Sequence, residues 1–121
     1  MKSAFLVAVI PLTALSASPA LAVGPCDIEG TPAIFGANNM LAFEVGQQGC
    51  MHGMRVRGTL NSSQVSQPPQ HGTVTFSDKD TWTYVPTSGY IGPDSFAITA
   101  TGKSVDETPG TSVIQMQVNV K

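Results

Sequence analysis

PQHGTVTFSDKDTWTYVPTSGYIGPDSFAITATG, residues 69–102, contains three β-type runs separated by dense turn chemistry. His71-Gly72 opens a turn, because glycine reaches positive φ values that other residues avoid. Thr73-Val74-Thr75-Phe76 then alternates with a period of two, which puts Val74 and Phe76 on one face of a strand. The polar run Ser77-Asp78-Lys79-Asp80 is short enough to close a hairpin, and Thr81-Trp82-Thr83-Tyr84-Val85 is β-branched and aromatic throughout, with Trp82 and Tyr84 pointing the same way. Pro86 cannot extend a central ladder, and residues 87–94 carry two glycines and a proline, so the chain turns again. Residues 95–101 resume the alternation with Phe96, Ile98 and Ala100 on one face. The expected core is therefore Val74, Phe76, Trp82, Tyr84, Phe96 and Ile98.

The same grammar extends in both directions. On the C-terminal side residues 105–111 read as a loop turning at Pro109-Gly110, and residues 112–120 as a closing strand with Ile114, Met116, Val118 and Val120 on its apolar face. On the N-terminal side residues 61–70 are polar and proline-bearing, and read as a connection crossing between sheets; they include the sequon Asn61-Ser62-Ser63, which matters only in a host that glycosylates exported proteins. Residues 50–60 predict a strand with Met54 and Val56 inward and Arg55 and Arg57 outward, and residues 40–45 one with Leu41, Phe43 and Val45 inward. Gly46-Gln47-Gln48-Gly49 is a hairpin-type turn, residues 32–36 a short edge strand, and residues 23–31 an extended segment pinned by Cys26. No helical periodicity of useful length follows residue 22, and six to eight short strands with Gly/Pro turns argue an all-β sandwich rather than an α/β fold.

This pattern resembles the bacterial immunoglobulin-like, cadherin-like repeat family. The resemblance rests on His-Gly-Thr-Val (residues 71–74), an aromatic pair ending in Tyr-x-Pro (Trp82, Tyr84, Pro86) and Gly-Tyr-x-Gly-x-Asp-Ser-Phe (residues 89–96), and the final strand extends it. It implies a Greek-key immunoglobulin-like β-sandwich of about seven strands, in which the motif residues build the sandwich and its corner rather than a catalytic site. Family members usually occur in tandem. No internal repeat is found within residues 23–121, so a single copy is expected to act on its own or to associate through its edge strands.

Residues 1–22 have the layout of a secretory signal peptide: Lys2, an apolar region over residues 4–15 and an Ala20-Leu21-Ala22 cleavage site. The apolar run is interrupted by Pro11 and is shorter than the ~20 residues a membrane span needs, and Pro25 before Cys26 does not suit a lipid anchor. Cleavage leaves residues 23–121, close to the ~100 residues of one immunoglobulin-like domain and free of any membrane span. The expected location is the periplasm or the outside of the cell. Basic residues beyond the signal are scattered (Arg55, Arg57, Lys79, Lys103, Lys121), and all eight acidic residues remain, which gives no electrostatic footprint for nucleic acid or anionic membrane. In an oxidising compartment Cys26 and Cys50 read first as a disulfide and second as two separate reduced thiols.

Chemistry-bearing residues are few. A Ser-His-Asp hydrolase needs a histidine base, and only His52 and His71 exist; His71 falls where the resembled motif uses it in a turn, and no Gly-x-Ser-x-Gly elbow is present. Asp78 and Asp80 are read as solvated hairpin charges, since Lys79 lies between them and no EF-hand pattern follows. Met51, His52 and Met54 beside Cys50 carry thioether and imidazole donors that suit copper, although alternation sends Met51 and Met54 to opposite faces. Tyr90 could stack on a sugar or a protein, while the resemblance has this position pack into the corner. The reading adopted is a non-enzymatic exported module for protein–protein or cell-surface interaction, without catalytic residues or cofactor and with an unidentified partner. The alternatives are a small periplasmic copper-binding protein using Met51, His52 and Met54, and a carbohydrate-binding module.

Overall fold

In the computed structural model, which describes residues 23–28 and 33–121, the strands are β1 (Ala33–Ile34), β2 (Asn39–Val45), β3 (Cys50–Gly53), β4 (Val56–Arg57), β5 (Thr59–Gln67), β6 (Gly72–Asp78), β7 (Thr81–Pro86), β8 (Gly92–Lys103) and β9 (Pro109–Val120). The signal-peptide reading of residues 1–22 lies outside the described residues. One sheet has the order β2-β9-β8-β5 and the other β3-β7-β6, and β1 and β4 form a small parallel pair. Seven strands thus make two sheets, with the chain crossing between them at β2–β3, β3–β5, β5–β6 and β7–β8. This is an all-β, immunoglobulin-like sandwich. β2 runs parallel to β9, while the other pairs in the two sheets are antiparallel.

The alternation that specified the strands also specified the interior. Phe43 and Val45 of β2, Trp82 and Tyr84 of β7, Phe96 and Ile98 of β8, and Ile114, Met116, Val118 and Val120 of β9 are all buried in one cluster. Its centre is aromatic: Phe96 lies parallel to Tyr84 at 5.7 Å and edge-on to Trp82 at 5.2 Å, arrangements that favour ring quadrupoles as well as burial. Val74 and Phe76 face the same cluster but are only half-buried, because β6 is the last strand of its sheet and has no neighbour on one side among the described residues.

Four segments differ from the sequence reading. Residues 61–70 are not a connection: β5 extends to Gln67 and pairs with β8 with two register shifts, leaving only residues 68–71 as the crossing. A ladder is made by backbone groups, so a strand at a sheet edge tolerates Asn, Ser and Gln; Leu60 is the one buried side chain of β5. β9 begins at Pro109 rather than at residue 112, pairing with β8 from Lys103↔Pro109, and the loop shrinks to residues 104–108. Proline is tolerated at the first position of a strand, which is where it stands. β8 likewise starts at Gly92, inside the expected turn. The single strand expected over residues 50–60 is broken into β3, β4 and the start of β5. Gly58, at φ +112°, allows the bend before β5: a Cβ there would lie 2.0 Å from the Lys103 carbonyl oxygen.

Cys26 and Cys50 form a disulfide that ties residues 24–26 to β3. Cys26 N–H donates to Met51 O (2.7 Å) and Met51 N–H to Gly24 O (3.0 Å), so this short segment lies along the outer edge of β3. Closing a loop of about 25 residues stabilises by ~3.5 kcal/mol in the chain-entropy model. Reduction, or Cys26→Ser with Cys50→Ser, is accordingly expected to lower the denaturation midpoint by that amount of stability, measured by urea titration with and without reductant. An unchanged midpoint would show that the bond closes no loop that unfolding opens.

Candidate functional site

The turn between β7 and β8 holds the buried carboxylate of the described residues, Asp94. β7 is a central strand, so Tyr84 is fully buried and its hydroxyl needs a partner inside. β8 begins at a turn containing Gly89 and Gly92, both at positive φ, and this brings Asp94 back over the end of β7. The Tyr84 hydroxyl donates to Asp94 Oδ2 at 2.7 Å. The same carboxylate accepts from the backbone N–H groups of Gln70 (3.1 Å), His71 (3.2 Å) and Ser95 (2.9 Å). Asp94 thereby pins the β5–β6 crossing to the start of β8. Burial, then the hydrogen bond and negative charge of Asp94, pushes the Tyr84 phenol well above its ordinary range, so it remains a neutral donor.

The outer layer of this corner is also occupied. The His71 ring stacks on Tyr90, with centroids 3.9 Å apart and planes within 3°, and the Tyr90 hydroxyl donates to Pro93 O at 2.5 Å. Gln47, from the β2–β3 turn, donates to Tyr90 O (2.8 Å) and Lys121 O (3.3 Å) and accepts from Gly89 N–H (3.0 Å). One side chain thus joins its own turn to the β7–β8 turn and to the residue after β9. Asp94 and Gln47 were not singled out from the sequence; the signal for Asp94 was its place in Gly-x-Asp-Ser-Phe, an acid just ahead of an apolar strand, whereas Gln47 in a polar turn carried none.

The other candidate residues are spread out. Met51 is exposed on the outer face of β3, whereas His52 points inward, half-buried against Trp82 with ring centroids 5.6 Å apart. Met54 follows the end of β3 and packs against the core. Adjacent strand residues point to opposite faces, so Met51 and His52 do not converge. The cationic Arg55 next to His52 opposes a second positive charge there. Asp78 and Asp80 are exposed in the β6–β7 hairpin, where Asp78 Oδ1 accepts from Asp80 N–H (3.1 Å) and Asp80 Oδ1 from the Thr81 hydroxyl (3.2 Å). Cys50 is held in the disulfide.

Residues 53–119 match the family described as Bacterial Ig domain. The chain belongs to this family. A search of curated proteins finds no match. The Ig match takes in β4 to β8 and nearly all of β9, and with them the Tyr84–Asp94 corner. The disulfide and β2 lie N-terminal to the matched span of the Ig domain.

The contact of His52 with Trp82 makes it part of the wall of the Ig core. Burial, aided by Arg55, holds its pKa below the ordinary 6.5. As the pH falls the unfolded chain takes up this proton first, so the contribution of neutral His52 to stability is complete above about 6.5 and declines as the pH drops toward the folded-state pKa. The difference in stability between the parent and His52→Gln, measured by denaturant titration from pH 8 to 5, is expected to narrow as the pH falls. A constant difference would mean that His52 does not titrate differently on folding.

Proposed function

We propose that the chain is a non-enzymatic Ig module, exported through cleavage after Ala22 and acting in protein–protein or cell-surface interaction in the periplasm or outside the cell. The observation that carries this reading is the corner: the carboxylate that could orient or accept a proton, Asp94, is buried with both oxygens engaged by Tyr84 and three backbone N–H groups, and His71 is stacked on Tyr90. Groups so engaged hold a turn together. The Cys26–Cys50 bond supports an oxidising compartment, since disulfides persist there and are rare in the cytosol. Such a domain contributes surface, and a surface acts by binding.

The test has two parts. Intact mass of the protein isolated from the cell envelope under thiol trapping is expected to correspond to a chain beginning at Val23, with two hydrogens fewer than its reduced form. Crosslinking in the intact envelope is expected to yield the same partner reproducibly, and that partner should be lost when exposed strand residues are changed while the melting temperature is unchanged. A cytoplasmic chain with residues 1–22 intact and two free thiols would overturn the proposal.

A further inference from the structure

The two sheets have four outer edges, and three of them are guarded. The edge of β3 is covered by residues 24–26 through two backbone hydrogen bonds and the disulfide. β5 is broken by two register shifts, at Leu60/Ser62 and Val65/Gln67, and bulges of this kind spoil an edge as a template. β2 carries a charged pair, Glu44 with Lys121 at 2.9 Å, and charged side chains on an edge strand discourage further pairing. Among the described residues β6 has none of these devices over its first five residues: Gly72 to Phe76 is regular, contains no proline or charged residue, and shifts register only after Phe76.

Its outward groups can be assigned. Thr87 N–H donates to His71 O at 2.8 Å, extending the β6–β7 ladder by one step. In antiparallel pairing alternate residues bond to the neighbour, so His71, Thr73 and Thr75 turn toward β7, while Gly72, Val74 and Phe76 direct N–H and C=O to the free side. Val74 and Phe76 are also the core-facing residues left half-buried by the lack of a neighbour. Backbone hydrogen bonding and apolar burial are thus both incomplete along the same edge.

We infer that β6 is a self-association edge, pairing antiparallel with β6 of a second copy about a two-fold axis at Thr75 to join two three-stranded sheets into one of six. The sequence of the strand suits itself in this register. Val74 falls opposite Phe76 of the second copy and Phe76 opposite its Val74, so both apolar pairs extend the inner face; Thr75 meets Thr75 on the outer face. The only charged residue of β6, Asp78, lies beyond the register shift that follows Phe76 and so outside this regular stretch. The occupant is therefore a copy of this chain, whose edge supplies matching donors, acceptors and apolar contacts. The inference rests on the reading of the chain as an interaction module and names one partner for it.

Sedimentation equilibrium of the exported, disulfide-bonded protein from about 1 μM to about 1 mM tests it. The parent is expected to pass from monomer to dimer within that range. Val74→Pro, which removes an outward donor on the unpartnered side, is expected to weaken the dimer about tenfold or more. Because proline could disturb folding, the exposed Thr75 supplies a second test: Thr75→Lys and Thr75→Glu each place like charges opposite one another and are expected to weaken the dimer about fivefold, while a one-to-one mixture restores it as a heterodimer. A parent that stays monomeric to the highest concentration, single variants that dimerise as the parent does, or a mixture that fails to restore pairing would overturn the inference. Those results would leave a crosslinked partner of a different kind standing, so failure of self-pairing is distinguishable from failure of the interaction-module reading.

Discussion

Trp82→Ala is expected to cost about 4 kcal/mol and to lower the melting temperature by roughly 20 °C, which for a domain of this size approaches the whole of its stability. Trp82 is fully buried on the central strand of its sheet, with the Phe43 ring at 5.8 Å, Phe96 at 5.2 Å and His52 at 5.6 Å. Truncation leaves a cavity between two sheets whose separation is held by every other strand, so the walls cannot collapse into it. A milder change separates packing from polarity. The indole Nε1 has no hydrogen-bond partner among the described residues, so Trp82→Phe gives up no hydrogen bond and is expected to cost only about 1–2 kcal/mol. Thermal and denaturant unfolding of the two variants checks the ratio. If the alanine variant melts like the parent, Trp82 does not face the interior.

Asp94→Ala is expected to cost about as much, roughly 4 kcal/mol, through a different mechanism. The substitution removes the acceptor for three backbone N–H groups and for the Tyr84 hydroxyl, and the hydroxyl is left buried without its partner. Breaking a buried, hydrogen-bonded charge is among the larger single-residue effects because each orphaned donor keeps its desolvation cost. Tyr84→Phe alone leaves Asp94 its three N–H donors and is expected to cost about 1 kcal/mol. In Asp94→Ala combined with Tyr84→Phe there is no stranded hydroxyl, so the double variant should be more stable than the sum of the single effects predicts, by about 1 kcal/mol. A double-mutant cycle measured by denaturant unfolding decides it; strict additivity would mean that the two side chains do not act on each other.

These two residues mark what was and was not legible beforehand. Trp82 could be assigned to the core because Thr-Trp-Thr-Tyr-Val alternates, and in a strand alternation alone sends a side chain inward or outward. The same rule correctly turned Phe43, Phe96, Ile98, Ile114, Met116, Val118 and Val120 inward. It misplaced strand ends at residues 61–67, 92–94 and 109–111, where polar, glycine or proline residues extend a ladder held by backbone groups. Whether such residues pair is decided by the neighbouring strand, not by their own propensity.

Local sequence thus determined the all-β class, the turns, the facing of the apolar residues and, through the spaced His-Gly-Thr-Val, Tyr-x-Pro and Gly-x-Asp-Ser-Phe elements, the immunoglobulin-like family. Each depends on residues a few positions apart, where period two and turn chemistry act. Tertiary structure alone decided which strands became edges, that Val74 and Phe76 remain half-buried while Trp82 does not, that Asp94 gathers four donors from three segments, and that Gln47 reaches backbone groups 42 and 74 residues away along the chain. An edge is defined by the absence of a neighbour, and a hydrogen-bond hub by chain segments that meet only after the sheets have formed. Neither property is held by any short stretch of sequence, so both emerge only when the two sheets close on their shared core.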